Sequence, residues 1–340
     1  MLPVAFLPAR LVDACWSGPP DTMTATVIAH HASLSAALQP LDQAALNLAL
    51  VAVPHETPWL LPVGARAMLV DQTIAATGGR DSATPPGWPG NLEWLHLRST
   101  GIDKVPRWFF DTPLVTVSRG ASAKSIAEYV LGTMLDAEWS ISQRVVTDRA
   151  GWTGSKAGTL FGKTLGLVGF GHIGKEIAQR ALGFEMQVVA ARRSAGTGFE
   201  EGVEIATLDE VLRRSDHLVL AAPLTEETRG LIDAEAFSAM RPAVHLVNVG
   251  RGALLNECAF KTALDSGIVG RASLDVFDPE PPPAGHWAYG HPRLRLTPHI
   301  SSSTDLTEQS ADALLRENAV RFAQGQVQAL HAPVSLQDGY

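Results

Sequence analysis

Leu165-Gly166-Leu167-Val168-Gly169-Phe170-Gly171-His172-Ile173-Gly174-Lys175 is the stretch that decides the fold. Thr164–Val168 is an apolar run of strand length, and residues 175–181 carry a helical pattern. Between them lies G-x-G-x-x-G, in the strand–turn–helix setting that a dinucleotide site requires. Gly169 permits the tight turn, Gly171 lets a pyrophosphate approach the backbone, and Gly174 lets helix and strand pack closely. The helix start offers N–H groups and partial positive charge to phosphate. The candidate cofactor cradle is therefore Gly169, Phe170, Gly171, His172, Ile173 and Gly174. Glycines also serve ordinary tight turns, so the setting carries the reading more than the motif does.

The following strand should end in Asp or Glu to take the adenosine ribose 2′-OH. Here it ends Ala190-Ala191-Arg192-Arg193-Ser194. The acid is missing and two guanidinium groups stand in its place, with forks suited to a phosphate. Arg192, Arg193 and Ser194 therefore point to NADP(H) as the preferred cofactor, with NAD(H) as the second possibility. The competing reading is a solvated basic loop tip.

Outward from the glycine turn the pattern is regular. Apolar runs of strand length recur at 164–168, 187–191, 217–221, 245–249, 270–276 and 294–297, with helical segments between most of them. Thr207-x-x-Glu210 reads as a capping box. Asn256 suits the cap of a helix over 257–265, and Gly267 suits its stop. Apolar strands alternating with helices imply a parallel sheet covered on both faces. The region before about residue 113 is irregular, with short apolar runs at 49–53, 67–70 and 92–97; it reads as a smaller α/β domain. Between the two lies a predicted helix over 123–146, with Ile126, Val130, Met134, Ile141 and Val145 on one stripe. It is too apolar for a free surface. Packing within one subunit and a dimer interface are the two readings.

At 340 residues, two domains are expected. The net charge is −8 and no long Lys/Arg run occurs, which argues against a nucleic-acid or anionic-membrane surface. The two cysteines, Cys15 and Cys258, exclude a disulfide scaffold and a Cys-rich metal site, and they fit a reducing cytoplasm. Residues 1–10 have no basic lead-in and do not read as a signal peptide. The apolar stretch 44–53 is shorter than the roughly 20 residues a bilayer needs.

Three further segments follow strand-like runs: Asn248-Val249-Gly250-Arg251-Gly252, Asp275-Val276-Phe277-Asp278-Pro279-Glu280-Pro281, and Leu296-Thr297-Pro298-His299. Open α/β sheets bind ligands beyond the carboxyl ends of their strands, so Arg251, Glu280 and His299 are expected to converge on one crevice. Their chemistry is coherent. A permanently charged guanidinium suits a carboxylate, and an imidazole titrates in the working range. A carboxylate on the second ring nitrogen fixes the tautomer and favours the charged form. The competing readings are a strand–helix cap for Arg251, a solvated loop charge for Glu280 and a surface histidine for His299.

With these segments, the glycine turn, Arg98-Ser99-Thr100-Gly101-Ile102-Asp103 and Ser118-Arg119-Gly120, the sequence resembles the D-isomer-specific 2-hydroxyacid dehydrogenases. That family includes glyoxylate/hydroxypyruvate reductases and D-3-phosphoglycerate dehydrogenases. The matching segments span most of 92–303, and little before residue 92 matches. The resemblance implies a Rossmann-type doubly wound parallel sheet, the cofactor domain (119–305), inserted in a smaller flavodoxin-like α/β substrate domain (1–118 and 306–340). It implies that Arg251 holds the substrate carboxylate and carbonyl, that His299 is the acid/base and that Glu280 supports it. It assigns Asp275 to the nicotinamide end. Ala222, Pro223, Thr228, Val249, Gly250 and Ser302 would line the cofactor groove, with turn and packing roles competing for Pro223 and Thr228. The backbone N–H groups of Thr100 and Gly101 would cradle the substrate carboxylate. Arg80 is a candidate second cation, against the reading of a surface arginine. His286 and Trp287 are candidates for the pocket wall, against simple loop packing.

The implied activity is reduction of a small 2-keto acid, of the glyoxylate or hydroxypyruvate kind, to the D-2-hydroxy acid by a cytoplasmic homodimer using NADPH and no metal. One alternative is a formate- or phosphite-type dehydrogenase on the same fold. Such formate dehydrogenases carry Gln where Glu280 stands, which argues against them. The other is a nucleotide-sensing corepressor-like binding protein.

Overall fold

The structure is a computed structural model that describes residues 25–54, 57, 59–71, 79–154, 156–193 and 196–335. Ser194, Cys15, residues 1–10 and Thr77-Gly78 lie outside the described residues.

The apolar runs are apolar because their strands are covered on both faces. The first sheet is built from β1 (Thr26–His31), β2 (Leu48–Val53), β3 (Ala65–Val70), β4 (Trp94–Leu97) and β5 (Val115–Val117). Its order is β2-β1-β3-β4-β5 with every pair parallel, the flavodoxin-like arrangement. The second sheet is built from β6 (Thr164–Val168), β7 (Gln187–Ala191), β8 (Gly198–Glu200), β9 (Val203–Ile205), β10 (His217–Leu220), β11 (Val244–Asn248), β12 (Val269–Leu274) and β13 (Leu294–Leu296). Its order is β13-β12-β11-β10-β6-β7-β9-β8, parallel except for the short β8–β9 hairpin. This is the doubly wound Rossmann order, and it reverses between β6 and β10. That reversal is the switch point at which such sheets hold ligands.

The helices are α1 (Ser35–Leu38), α2 (Ala123–Trp139), α3 (His172–Gly183), α4 (Leu208–Arg214), α5 (Ala234–Ala239), α6 (Glu257–Ser266) and α7 (Asp305–Ala323). The expected caps are present. Thr207 and Glu210 form the capping box of α4, Asn256 caps α6, and Gly267 stops α6 at φ 82°. One apolar layer on the second sheet joins α2 and α3 through Val130, Met134 and Ile177, and the opposite layer is formed with α5 and α6. The last helix returns to the first sheet, where Leu315, Ala319 and Phe322 pack with Ile28 and Trp94.

One boundary differs from expectation. The helix predicted over 123–146 stops at Trp139, because Ser140 takes a left-handed conformation (φ 46°, ψ 43°) and donates its N–H to Asp136. Arg271 on β12 donates to the carbonyls of Asp136 and Ala137 at 3.1 Å each, satisfying acceptors that a helix end leaves open. The first half of the apolar stripe is buried within this subunit, whereas Ile141 and Val145 stand 66% and 67% exposed. Trp139, Trp152 and Phe161 are exposed as well. Among the described residues no helix is long and apolar enough to cross a membrane.

Candidate active site

The glycine turn is built as a dinucleotide would need it. At Gly169 (φ 104°) a Cβ would lie 2.7 Å from the Ala221–Ala222 backbone, and at Gly174 a Cβ would lie 2.4 Å from the Gly169 carbonyl. Above Gly171 the space is open, so phosphate oxygens can reach the backbone there. The caps Thr207, Asp233, Asn256 and Thr304 accept hydrogen bonds at the starts of α4 to α7. Gly171 offers α3 no such side chain, so its first N–H groups remain available to an anion. The residues present fit the group.

Around the turn the expected contacts divide. Phe170 is a core side chain, only 6% exposed, and offers the groove its backbone. His172 is exposed and lies against Gly120 in the crossing between the two sheets. Ile173 is partly buried on α3. Ala222, Val249 and Gly250 flank the crevice, where a Cβ on Gly250 would sit 2.9 Å from the Ala222 carbonyl. Thr228 donates to the Pro223 carbonyl at 2.7 Å and accepts from the Thr225 N–H at 2.8 Å, which is a turn role. Ser302 accepts the Thr304 N–H ahead of α7. Arg192 and Arg193 follow β7; Arg192 is ion-paired with Glu200 of β8, which also takes Lys175 at 2.7 Å.

Arg251 follows β11 at the mouth of the crevice. Asn248, fully buried, accepts the Gly250 N–H at 3.0 Å and donates to the Arg251 carbonyl at 2.8 Å, so one side chain fixes the whole loop. The guanidinium crosses to the loop after β4. Its Nε and Nη2 donate to Asp103 Oδ1 at 3.1 and 2.9 Å, and Nη1 donates to the Gly250 carbonyl at 2.8 Å. A Cβ on Gly101 would stand 1.9 Å from Nη2, so only glycine lets the guanidinium rest there. Burial works to raise the Asp103 carboxyl, and Arg251 outweighs it and holds the group below the usual range. Thr100 donates to the Ser118 carbonyl at 3.1 Å. Arg80 donates to the carbonyl of Asp103 at 3.1 Å and steadies this loop from behind.

His299 follows β13 with a positive φ of 54°, costly for a residue with a Cβ. Asp275, 1% exposed, imposes that backbone. Its carboxylate accepts the N–H groups of Ile300 and Ser301 at 2.9 Å each and the Thr297 hydroxyl at 2.6 Å. Tyr129 of α2 reaches the same threonine at 2.7 Å. Asp275 thus acts here on the loop that carries His299. Nδ1 of His299 stands 3.2 Å from Glu280 Oε2, leaving Nε2 for a reacting oxygen. The other Glu280 oxygen accepts the Phe277 N–H at 3.1 Å, and Lys104 donates to Oε2 at 3.2 Å. Burial works to raise the Glu280 carboxyl; the His299 and Phe277 hydrogen bonds and the neighbouring charges hold it at about 2. A Cβ on Gly252 would meet the Phe277 backbone at 2.1 Å, a measure of how closely the Arg251 and Glu280 loops approach.

Arg251, Glu280 and His299 thus stand at the carboxyl ends of neighbouring parallel strands, facing the loop after β4. His286 and Trp287 do not join them. Both pair with Glu257, and Trp287 packs on Phe260, so they anchor their loop. Sequence reasoning gave no role to Asp103, Lys104, Asn248 or Glu200. Asp103 and Lys104 directly follow the Thr100-Gly101 cradle, and that adjacency was the available signal. Among the described residues no group of three or more His, Cys, Asp or Glu could hold a metal.

A dinucleotide-binding α/β protein is the class that this sheet order and glycine turn define. The chain belongs to the D-isomer specific 2-hydroxyacid dehydrogenases: the family model for their NAD binding domain matches residues 131–301. A glyoxylate reductase of Pyrococcus furiosus is 39% identical over 170 residues, 49% of this chain and 50% of that protein. A hydroxypyruvate reductase of Thermotoga maritima is 40% identical over 190 residues, 54% and 62%. D-3-phosphoglycerate dehydrogenase of Bacillus subtilis is 36% identical over 201 residues, 57% and 37%. The matches thus span about half the length of these relatives or somewhat more or less. The crystal structure of a glyoxylate reductase from Paecilomyes thermophila shares the fold with a TM-score of 0.75 and 24% identity, covering 93% of this chain and all of that one.

Proposed function

We propose that the protein reduces a small 2-keto acid of the glyoxylate or hydroxypyruvate kind to its D-2-hydroxy acid, with NADPH preferred over NADH. The observation that carries this reading is the convergence of Arg251, the Glu280–His299 pair and the glycine turn on one crevice. The matched glyoxylate and hydroxypyruvate reductases support the substrate class. In this reading residues 119–305 form the cofactor domain, and 1–118 with 306–340 form the substrate domain. The packing of α7 on the first sheet supports that division.

The reduced nicotinamide supplies a hydride to the keto carbon. The protein's part is to hold the anion, orient the carbonyl and provide the proton. Arg251 turns from Asp103 to the substrate carboxylate and carbonyl, and the Thr100-Gly101 backbone receives the carboxylate from the opposite side. His299, charged and held through Nδ1 by Glu280, donates from Nε2 to the oxygen as it becomes an alkoxide. In the reverse direction neutral His299 takes the hydroxyl proton. Reduction therefore needs the protonated ring, and oxidation needs the neutral one.

Arg192 and Arg193 follow β7 where a 2′-phosphate would lie, and Ser194 is the next residue in the sequence. Glu200 competes with that phosphate for Arg192, so the preference for NADPH is a balance between two anions. The exposed apolar side chains of Trp139, Ile141, Val145, Trp152 and Phe161 support a homodimer in which a second copy covers them. The deciding experiment is a panel of 2-keto acids with each reduced cofactor, followed by nicotinamide absorbance. Turnover of glyoxylate or hydroxypyruvate supports the reading. Tight cofactor binding with no turnover across the panel sinks it in favour of a nucleotide sensor.

A further inference from the structure

The loop after β4 sends two adjacent side chains across the crevice to different targets. Asp103 meets Arg251, and Lys104 meets Glu280. Lys104 and His299 approach the same oxygen, Glu280 Oε2, each at 3.2 Å. The remaining donor to that carboxylate is the Phe277 N–H. The other charged groups of these segments are paired elsewhere: Asp103 with Arg251, and Asp278 with Arg229. One carboxylate thus serves an ammonium and an imidazole that belong to different sheets.

We propose that Lys104 is a positioning residue for the acid/base, drawing on the carboxylate that holds His299 and so making the imidazolium a readier proton donor to the substrate. The inference rests on the reading of His299 as proton donor. Its physical basis is competition. The charge of Glu280 favours the protonated ring, and an ammonium on the same oxygen offsets part of that charge while repelling the ring directly. Lys104 reaches Glu280 across the crevice, from the loop after β4 on the other sheet. With the crevice widened, Glu280 would serve His299 alone and the ring would keep its proton more firmly. Proton release is thereby coupled to the approach of the substrate-side loop.

The test compares Lys104→Met, which keeps the stem and removes the charge, with Lys104→Arg, which keeps the charge. The Lys104 side chain is 73% exposed, so neither change threatens the core, and solvent limits the size of the effect. In the Met variant the alkaline limb of keto-acid reduction should move up by about half to one pH unit, and in the Arg variant it should stay in place. The second readout needs no turnover. The ring nitrogens of His299 are titrated by NMR in the full-length protein with labelled histidine, assigned through His299→Gln. A matching upward move in the Met variant supports the proposal. An unchanged titration in that variant, or an equal move in the Arg variant, overturns it. If the wild-type protein reduces no keto acid, the proposed function fails and the NMR titration still decides the role of Lys104.

Discussion

Arg251 and His299 are held by opposite means. Arg251 is steadied by an internal carboxylate, Asp103, which occupies the fork that a substrate would need. Its replacement by Ala should lower kcat/KM by about 100-fold or more, equivalent to about 3 kcal/mol of lost charge-assisted hydrogen bonding. Steady-state kinetics on the best keto acid would check this, and near-normal turnover would remove Arg251 from the site. His299 is steadied by the anion beside it. Glu280→Gln keeps the shape and removes the charge, so the alkaline limb of reduction should move toward acid by about one pH unit. The pH dependence of kcat/KM is the measurement, and an unmoved limb would break the assigned pairing.

At the scale of elements, the β8–β9 hairpin has a role its sequence hides. It brings Glu200 onto Arg192, so the strand end that lacks an acid receives one from the next hairpin. Glu200→Gln should therefore raise the NADPH-to-NADH ratio of kcat/KM by about tenfold, the scale of one freed phosphate contact. Comparing the two cofactors in the variant checks it, and a fall in the ratio would mean that Glu200 helps to bind the phosphate indirectly. The elements themselves were largely legible. Parallel strands buried on both faces read as unbroken apolar runs, and Thr207, Asn256 and Gly267 announced their caps. The end of α2 was not legible, because the group that closes it, Arg271, lies over a hundred residues further along. The pairing of Asp103 and Lys104 with the loops that carry Arg251 and Glu280 was hidden for a similar reason. It depends on how one sheet faces the other, and no local pattern records that.

For the whole molecule, buried histidines set an acid limit. His96, fully buried between Thr116 and Ser118, is pushed down to about 3 by burial. Burial likewise pushes His245 well below its usual range, with the charge of His217 acting the same way. The His217 and His245 rings meet Nδ1 to Nδ1 at 3.0 Å and can share only one proton there. Well above pH 6.5, His96 and His245 are neutral in both the folded and the unfolded chain, and no penalty arises. As pH falls below 6.5 the unfolded chain takes up protons that the folded chain refuses. Stability therefore drops progressively, by about 2 kcal/mol for His96 alone by pH 5. Denaturant titrations at pH 8 and pH 5 would measure the loss. His96→Asn should remove about 2 kcal/mol of it, and a pH-independent midpoint would contradict the burial argument.

The left-handed backbone at His299 has a consequence for selection. A glycine would sit there without steric conflict, gaining about 1 kcal/mol of relief while discarding the acid. Random searches for thermal tolerance should accordingly drift toward His299→Gly and yield sturdier, inert molecules. The chain keeps a less comfortable residue at that corner, and the proposed proton transfer would account for it.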